Sequence, residues 1–256
     1  MQLDGATTIV TGAGSGIGRA LALEFARHGS RVVCAGRRED RLRATVEAIE
    51  ADGGQALAVP TDVTDAAQTK RLAAQAIDHF GSIDVLFNNA GSFQALGPIW
   101  QVDPDAWWQD VTVNLRGPML CARAVLAHML QADRGIIINM NGGNQIPGGT
   151  GYSCSKVALQ RFTELLAKEL QRQGSNVMVF GMGPGLVRTE MTELQAQTEA
   201  GRYWIPSTAE SFEQGHTRPP EMCAQKTIEL IQIARPALSG RSFGVGTDFQ
   251  QVLAEL

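Results

Sequence analysis

Tyr152 and Lys156 stand four residues apart in the run Tyr-Ser-Cys-Ser-Lys. On a helix beginning near residue 151, positions i and i+4 lie one turn apart on the same face, so a phenol and an ammonium point at one place. A free phenol titrates near ~10, and a neighbouring cation is expected to lower that value by favouring the phenolate. Such a pair can protonate a carbonyl oxygen, or remove the proton from an alcohol in the reverse direction.

A second constellation lies near the N-terminus. Thr11-Gly12-Ala13-Gly14-Ser15-Gly16-Ile17-Gly18 follows the strand-like run TTIVT and precedes the helical run RALALEFARHG. Glycines between a strand and a helix permit a tight turn and close backbone approach, and the free N–H groups of the helix start face an anion. This is the pattern of a dinucleotide phosphate site. The next strand-like run ends in Gly36-Arg37-Arg38. An acid there would bind the ribose 2′-hydroxyl of NAD and repel a 2′-phosphate, whereas an arginine fork binds that phosphate in a bidentate manner. The chain is therefore expected to take NADP (NADPH) in preference to NAD.

The elements that must carry these residues follow from hydrophobic patterning. Seven short runs rich in β-branched residues, at 7–11, 31–35, 56–59, 83–87, 135–140, 176–180 and 241–245, alternate with segments of helical period. Leu42, Val46 and Ile49 fall at i, i+4, i+7, as do Ala158, Phe162 and Leu165, which predicts one apolar face on each helix. The expected fold is α/β: a single Rossmann-type doubly wound domain over residues 1–256, with a seven-stranded, mainly parallel sheet and helices on both faces. Residues 188–218 lack a sustained period and carry Met191, Tyr203, Trp204, Ile205 and Phe212, which suggests a substrate lid within that domain.

A chain of 256 residues with 44% apolar content can supply one sizeable core. Its net charge of −4, with basic residues scattered, offers no footprint for nucleic acid or an anionic membrane. Cys34, Cys121, Cys154 and Cys223 form no C-x-x-C, and the four histidines are dispersed, so neither a metal site nor a disulfide framework is expected. The N-terminal run has no signal-like apolar stretch, and no segment approaches the ~18 residues that span a bilayer. The expectation is a soluble, cytoplasmic protein with a small-molecule partner.

Taken together, the motifs resemble those of the short-chain dehydrogenase/reductase family, in the family's order and over nearly the whole chain. They are Thr11-Gly12-x-x-x-Gly16-x-Gly18, Asp62-Val63, Asn88-Asn89-Ala90-Gly91, Asn114 in a long helix, Tyr152-x-x-x-Lys156 and Pro184-Gly185-x-Val187-x-Thr189. The resemblance implies that Asp62 and Val63 bind the adenine, that Asn89, Ala90 and Gly91 border the cofactor, and that Val187 and Thr189 meet the nicotinamide carboxamide. It also implies that Asn114 supports a water continuing a proton path from Lys156. The segments 104–131 and 151–173 are apolar on more than one side, and in the family such helices pair between subunits, so a homotetramer is expected.

The activity implied is hydride transfer between NADP(H) and the carbonyl or secondary alcohol of a small molecule. Phe93, Leu96, Tyr203, Trp204 and Phe212 suggest an apolar or aromatic substrate. One part of the family pattern is missing. Where members commonly read Asn-x-Ser-Ser, this chain reads Asn139-Met140-Asn141-Gly142, with no serine to hold the substrate oxygen. Three readings follow: Asn141 or Asn144 donates in its place, the reaction runs without that donor, or the chain binds NADP and turns over little. Loss of one such donor slows a reaction by about 10²- to 10³-fold without abolishing it. The rivals to an oxidoreductase are therefore an NADP-sensing protein and a non-redox enzyme on the same scaffold.

Overall fold

In the computed structural model, which describes residues 1–256, the seven apolar runs form one sheet. Its strands are β1 (Thr7–Thr11), β2 (Arg31–Gly36), β3 (Gln55–Pro60), β4 (Val85–Asn88), β5 (Gly135–Met140), β6 (Val177–Gly183) and β7 (Ser242–Gly244). The spatial order is β3-β2-β1-β4-β5-β6-β7, and every neighbouring pair is parallel. The sheet expected to be mainly parallel is parallel throughout. β6 runs three residues beyond the predicted end because Gly181–Gly183 keeps register with Ser242–Gly244, a pairing that local glycine content argues against.

The helices are α1 (Gly16–Arg27), α2 (Glu39–Ala51), α3 (Ala66–Phe80), α4 (Pro104–Val111), α5 (Gly117–Ala132), α6 (Thr150–Arg172), α7 (Glu190–Gln197), α8 (Glu199–Trp204), α9 (Pro206–Glu213), α10 (Pro220–Ile233) and α11 (Phe249–Ala254). Alternate strand residues go to opposite faces, and with helices on both faces β1, β2, β4, β5 and β6 are buried on both sides, while the edge strands β3 and β7 are only partly covered. Val10, Val32, Phe87, Ile136 and Ile138 pack with Leu21, Phe25, Ile49 and Ile228 from α1, α2 and α10. Ile9, Val33, Leu86 and Ile137 pack with Leu72, Ala76, Val125, Met129 and Leu166 from α3, α5 and α6. Helix ends follow local chemistry: the Asp65 carboxylate accepts the N–H groups of Ala67 and Gln68, and α3 stops at Gly81 with φ 83°.

Chain order reverses between β1 and β4, which opens a crevice at the C-terminal ends of the strands. Three expectations about the elements around it change. The segment 104–131 is not one regular helix, because a wider π turn at Thr112–Arg116 separates α4 from α5 and buries Asn114. On α6 the sheet-facing residues are Leu159, Thr163, Leu166 and Leu170, whereas Ala158 and Phe162 are half-buried and Leu165 is exposed. The residues 188–218 contain three helices, α7 to α9, each too short to show a period in sequence. No helix is long and apolar enough to cross a membrane.

Candidate active site

A cavity of about 1130 Å³ occupies the crevice. One end is the turn after β1, where bare backbone is a packing requirement. A Cβ on Gly12 would come within 2.8 Å of Asn89 Nδ2, and one on Gly18 would collide with the Gly12 carbonyl oxygen. Asn89 ties the turn to β4 by donating from Nδ2 to the Thr11 carbonyl at 2.9 Å, while the Ala90 N–H donates to Thr11 Oγ1 at 3.0 Å. Gly12, Gly14, Ser15, Gly16, Ile17 and Gly18 all line the cavity, as do Asp62, Val63, Asn89, Ala90, Gly91, Pro184, Gly185, Val187 and Thr189. A glycine cradle at a helix N-terminus, open to a volume that exceeds most single-ligand pockets, fits a dinucleotide.

Arg37 and Arg38 lie at the same end. Arg38 donates to Ser15 Oγ at 2.9 Å and to a Glu190 carboxylate oxygen at 2.8 Å, so it spans the glycine turn and the start of α7. Thr189 caps α7: its Oγ1 accepts the Thr192 N–H at 3.3 Å.

At the other end, Tyr152 and Lys156 project from the first turns of α6 beside the end of β5. Lys156 is buried, and its Nζ donates to the Met140 carbonyl at 2.9 Å. Burial pulls its ammonium down to about 8. The Tyr152 phenol is pushed up to about 12, first by burial and then by the Asp110 carboxylate. This reverses the expected lowering. The ammonium is 5.5 Å from the ring centroid, and desolvation sets the direction of the shift.

The vacant serine position is not empty space. A Cβ on Gly142 would collide with the Tyr152 hydroxyl, so the phenol occupies the volume that a side chain at 142 would need. The two asparagines expected to substitute are placed differently. Asn141 lines the cavity, with its amide against Gly181 across the β5–β6 pair and its Oδ1 buried and unpaired, whereas Asn144 is exposed and outside the lining.

Asn114 also lies outside the lining. Its Oδ1 accepts the Ser92 N–H at 2.8 Å, and its Nδ2 donates to the Ser92 carbonyl at 2.8 Å and to Ser155 Oγ at 3.1 Å. The side chain is thus spent on the loop after β4 and on α6. Behind the site, Asn88 Nδ2 donates to Asn139 Oδ1 at 2.9 Å and Asn139 Nδ2 to Thr163 Oγ1 at 2.8 Å, which ties β4, β5 and α6 together in the core.

The family model described as short chain dehydrogenase matches residues 6–200. The chain belongs to the short-chain dehydrogenase/reductase family. A short chain dehydrogenase of Pseudocercospora fijiensis is 40% identical over 195 residues, which cover 74% of this chain and 62% of that protein, so the match spans less than two thirds of the relative's length. Among solved structures, a metagenomic short-chain oxidoreductase in complex with NADP is 29% identical, with TM-score 0.74 over 92% of this chain and 94% of that one. A short-chain dehydrogenase/reductase of Burkholderia phymatum in complex with NAD is 28% identical, with TM-score 0.84 over 100% of this chain and 92% of that one.

Of the five residues suggested for the substrate side of this short-chain dehydrogenase/reductase, only Phe93 lines the cavity. Leu96 lies outside it. Tyr203 is 74% exposed, Trp204 seats on Gly148, and Phe212 stacks under Arg188 at 4.8 Å. Ile146, Leu186, Met191, Leu194 and Ile205 line it instead. Sequence reading also missed Asp110, which is fully buried in α4. The one signal available was its place four residues before Asn114, a spacing that on a helix puts both polar side chains on one face.

Proposed function

We propose that the chain transfers hydride between NADP(H) and a carbonyl or secondary alcohol of an apolar small molecule, with Tyr152 as general acid and base. The observation that carries this reading is the position of the Tyr152 hydroxyl, set against Gly142 and lining the same cavity as Lys156 and the glycine turn. The dinucleotide supplies hydride when reduced and accepts it when oxidised. The chain's own residues hold it by the turn 12–18, by Asp62 and Val63 at the adenine end, and by Asn89 to Gly91 with Pro184 to Thr189 toward the nicotinamide. A phenol raised to about 12 is protonated at neutral pH, which suits donation to a developing alkoxide. The apolar side chains Phe93, Ile146, Met191, Leu194 and Ile205 favour an apolar substrate. Residues 188–218 act as its lid.

NADP preference rests on the absence of an acid at the end of β2 and on Arg37, exposed and without a hydrogen-bond partner beside Arg38. The two structural relatives, one with NADP and one with NAD, are divided on it. The test is NADPH oxidation with a panel of ketones and diketones, beside dissociation constants for NADPH and NADH in the wild type and Arg37→Ala. Substrate-dependent oxidation that falls by orders of magnitude in Tyr152→Phe, with NADPH still bound, is expected. NADPH bound but never consumed would mean a sensing role, and substrate changed with no net NADPH loss a non-redox reaction. Equal affinity for NADH and NADPH would reject the cofactor preference.

A further inference from the structure

Asp110 is a fully buried carboxylate that takes part in no ion pair. A charge in that position is costly unless hydrogen bonds replace its water. Three donors do so. Ser92 Oγ donates to one carboxylate oxygen at 2.6 Å, the Gln94 N–H is shared between both at 2.9 and 3.0 Å, and the Ala95 N–H reaches the second at 3.0 Å. All three belong to the loop after β4, and they lie on both sides of Phe93. Asn114 grips the same loop by the backbone of Ser92.

Phe93, held in this way, is 4% exposed and lies on the Tyr152 ring, with centroids 4.6 Å apart and planes 11° from parallel. Its tip fills the space beside Gly149, where a Cβ would come within 2.5 Å of Cζ. The phenol is therefore fixed by its face. With glycine at 142, no side chain from the end of β5 reaches its hydroxyl.

We propose that Asp110 is a positioning residue for proton transfer at Tyr152, acting through the loop it holds and the Phe93 ring stacked on the phenol. This rests on the reading of Tyr152 as general acid and base. A carboxylate suits the task because both its oxygens accept, so it closes three donors and presents none. An asparagine of the same shape would turn an NH₂ group toward one of the backbone N–H donors and release part of the loop. The charge has a second effect. The charged groups at the phenol are Lys156 on its own helix and Asp110 from α4, while Arg37, Arg38, Asp62 and Glu190 line the adenine and glycine-turn side of the cavity. Asp110 favours the protonated phenol, so its removal shifts ionisation to lower pH.

The experiment uses Asp110→Asn, Phe93→Leu and Phe93→Tyr, each measured for NADPH affinity, for kcat and KM, and for the pH dependence of ketone reduction. Asp110→Asn is expected to lower kcat by about 10- to 100-fold, the scale of a misplaced catalytic group, with NADPH affinity kept. The pH above which reduction fades should also move down. Phe93→Leu should lower kcat more than Phe93→Tyr, which keeps a ring on the phenol. This pair decides the matter if Asp110→Asn does not fold.

A readout without substrate exists because the chain has two tyrosines. In a Tyr203→Phe background, phenolate absorbance reports Tyr152 alone, and Asp110→Asn should ionise at lower pH than its parent. An unshifted phenol with wild-type kcat overturns the proposal, as does a loss of kcat in Asp110→Asn with the phenol unshifted and Phe93→Leu silent. If no carbonyl compound is reduced, the acid–base reading fails, while the absorbance titration still decides whether Asp110 acts on Tyr152.

Discussion

Glycine at 142 and tyrosine at 152 fit as a pair, since the hydroxyl of one fills the side-chain space of the other. By family analogy, Gly142→Ser restores a missing donor and raises activity. The geometry predicts the opposite. Any Cβ at 142 must push the phenol aside, and misplacing a catalytic group by about 1 Å can cost about 10²-fold. Steady-state kinetics should show kcat/KM reduced at least about tenfold in both Gly142→Ser and Gly142→Ala, which assigns the loss to the shared Cβ. A gain in Gly142→Ser would show that the phenol has room to move and that the serine was truly lacking. Asn141, packed against Gly181 with a buried carbonyl, should affect stability when changed to alanine, and Asn144, exposed, should affect neither stability nor turnover.

Among the elements, the proposed lid meets α6 at a glycine-rich approach. Gly148 has φ 74°, and a Cβ there would come within 2.5 Å of the Trp204 side chain, so α8 seats its indole on the backbone that leads into α6. Trp204→Ala removes that seat without touching the sheet. Limited proteolysis should cut within residues 190–213 faster in Trp204→Ala, while the melting temperature stays within a few degrees of wild type. Gly148→Ala should loosen the same contact and add the strain of a left-handed backbone, roughly 1 kcal/mol. Unchanged cleavage in both variants would mean that the lid is held elsewhere, as by Arg38 and Glu190.

For the molecule as a whole, the buried Lys156 sets stability against function. Its folded-state value of about 8 lies below the ordinary 10.5, so burying the charged form costs most below pH 8 and nothing once the lysine is neutral in both states. Lys156→Met should therefore stabilise the fold at pH 7 by up to about 3 kcal/mol, less whatever the Met140 carbonyl loses, and should abolish turnover. The gain should shrink as pH rises from about 8 to 10.5, as denaturant unfolding of both proteins at several pH values would reveal. We also propose a homotetramer. Trp108 on α4 and Val157 and Leu165 on α6 are exposed apolar side chains on adjacent helices. Light scattering should give four times 27.4 kDa, and a monomer at micromolar concentration would reject it.

The sequence alone determined the strand and helix alternation, the glycine turn and the Tyr152–Lys156 spacing, because each depends on neighbours within a few residues. Periodicity, turn chemistry and the i, i+4 geometry of a helix need no tertiary partner. It did not determine which stripe of α6 faces the sheet, since Ala158, Phe162 and Leu165 are as apolar as the stripe that is buried. Nor did it reveal that the lysine would fail to lower the phenol, because desolvation depends on everything packed around a group and not on the residue four positions away. Asp110 and Phe93 are 17 residues apart in the sequence and meet through a loop whose course is set by hydrogen bonds to a buried carboxylate. The Tyr152 hydroxyl and Gly142 meet because β5 and α6 pack side by side, a contact that neither residue's local pattern announces.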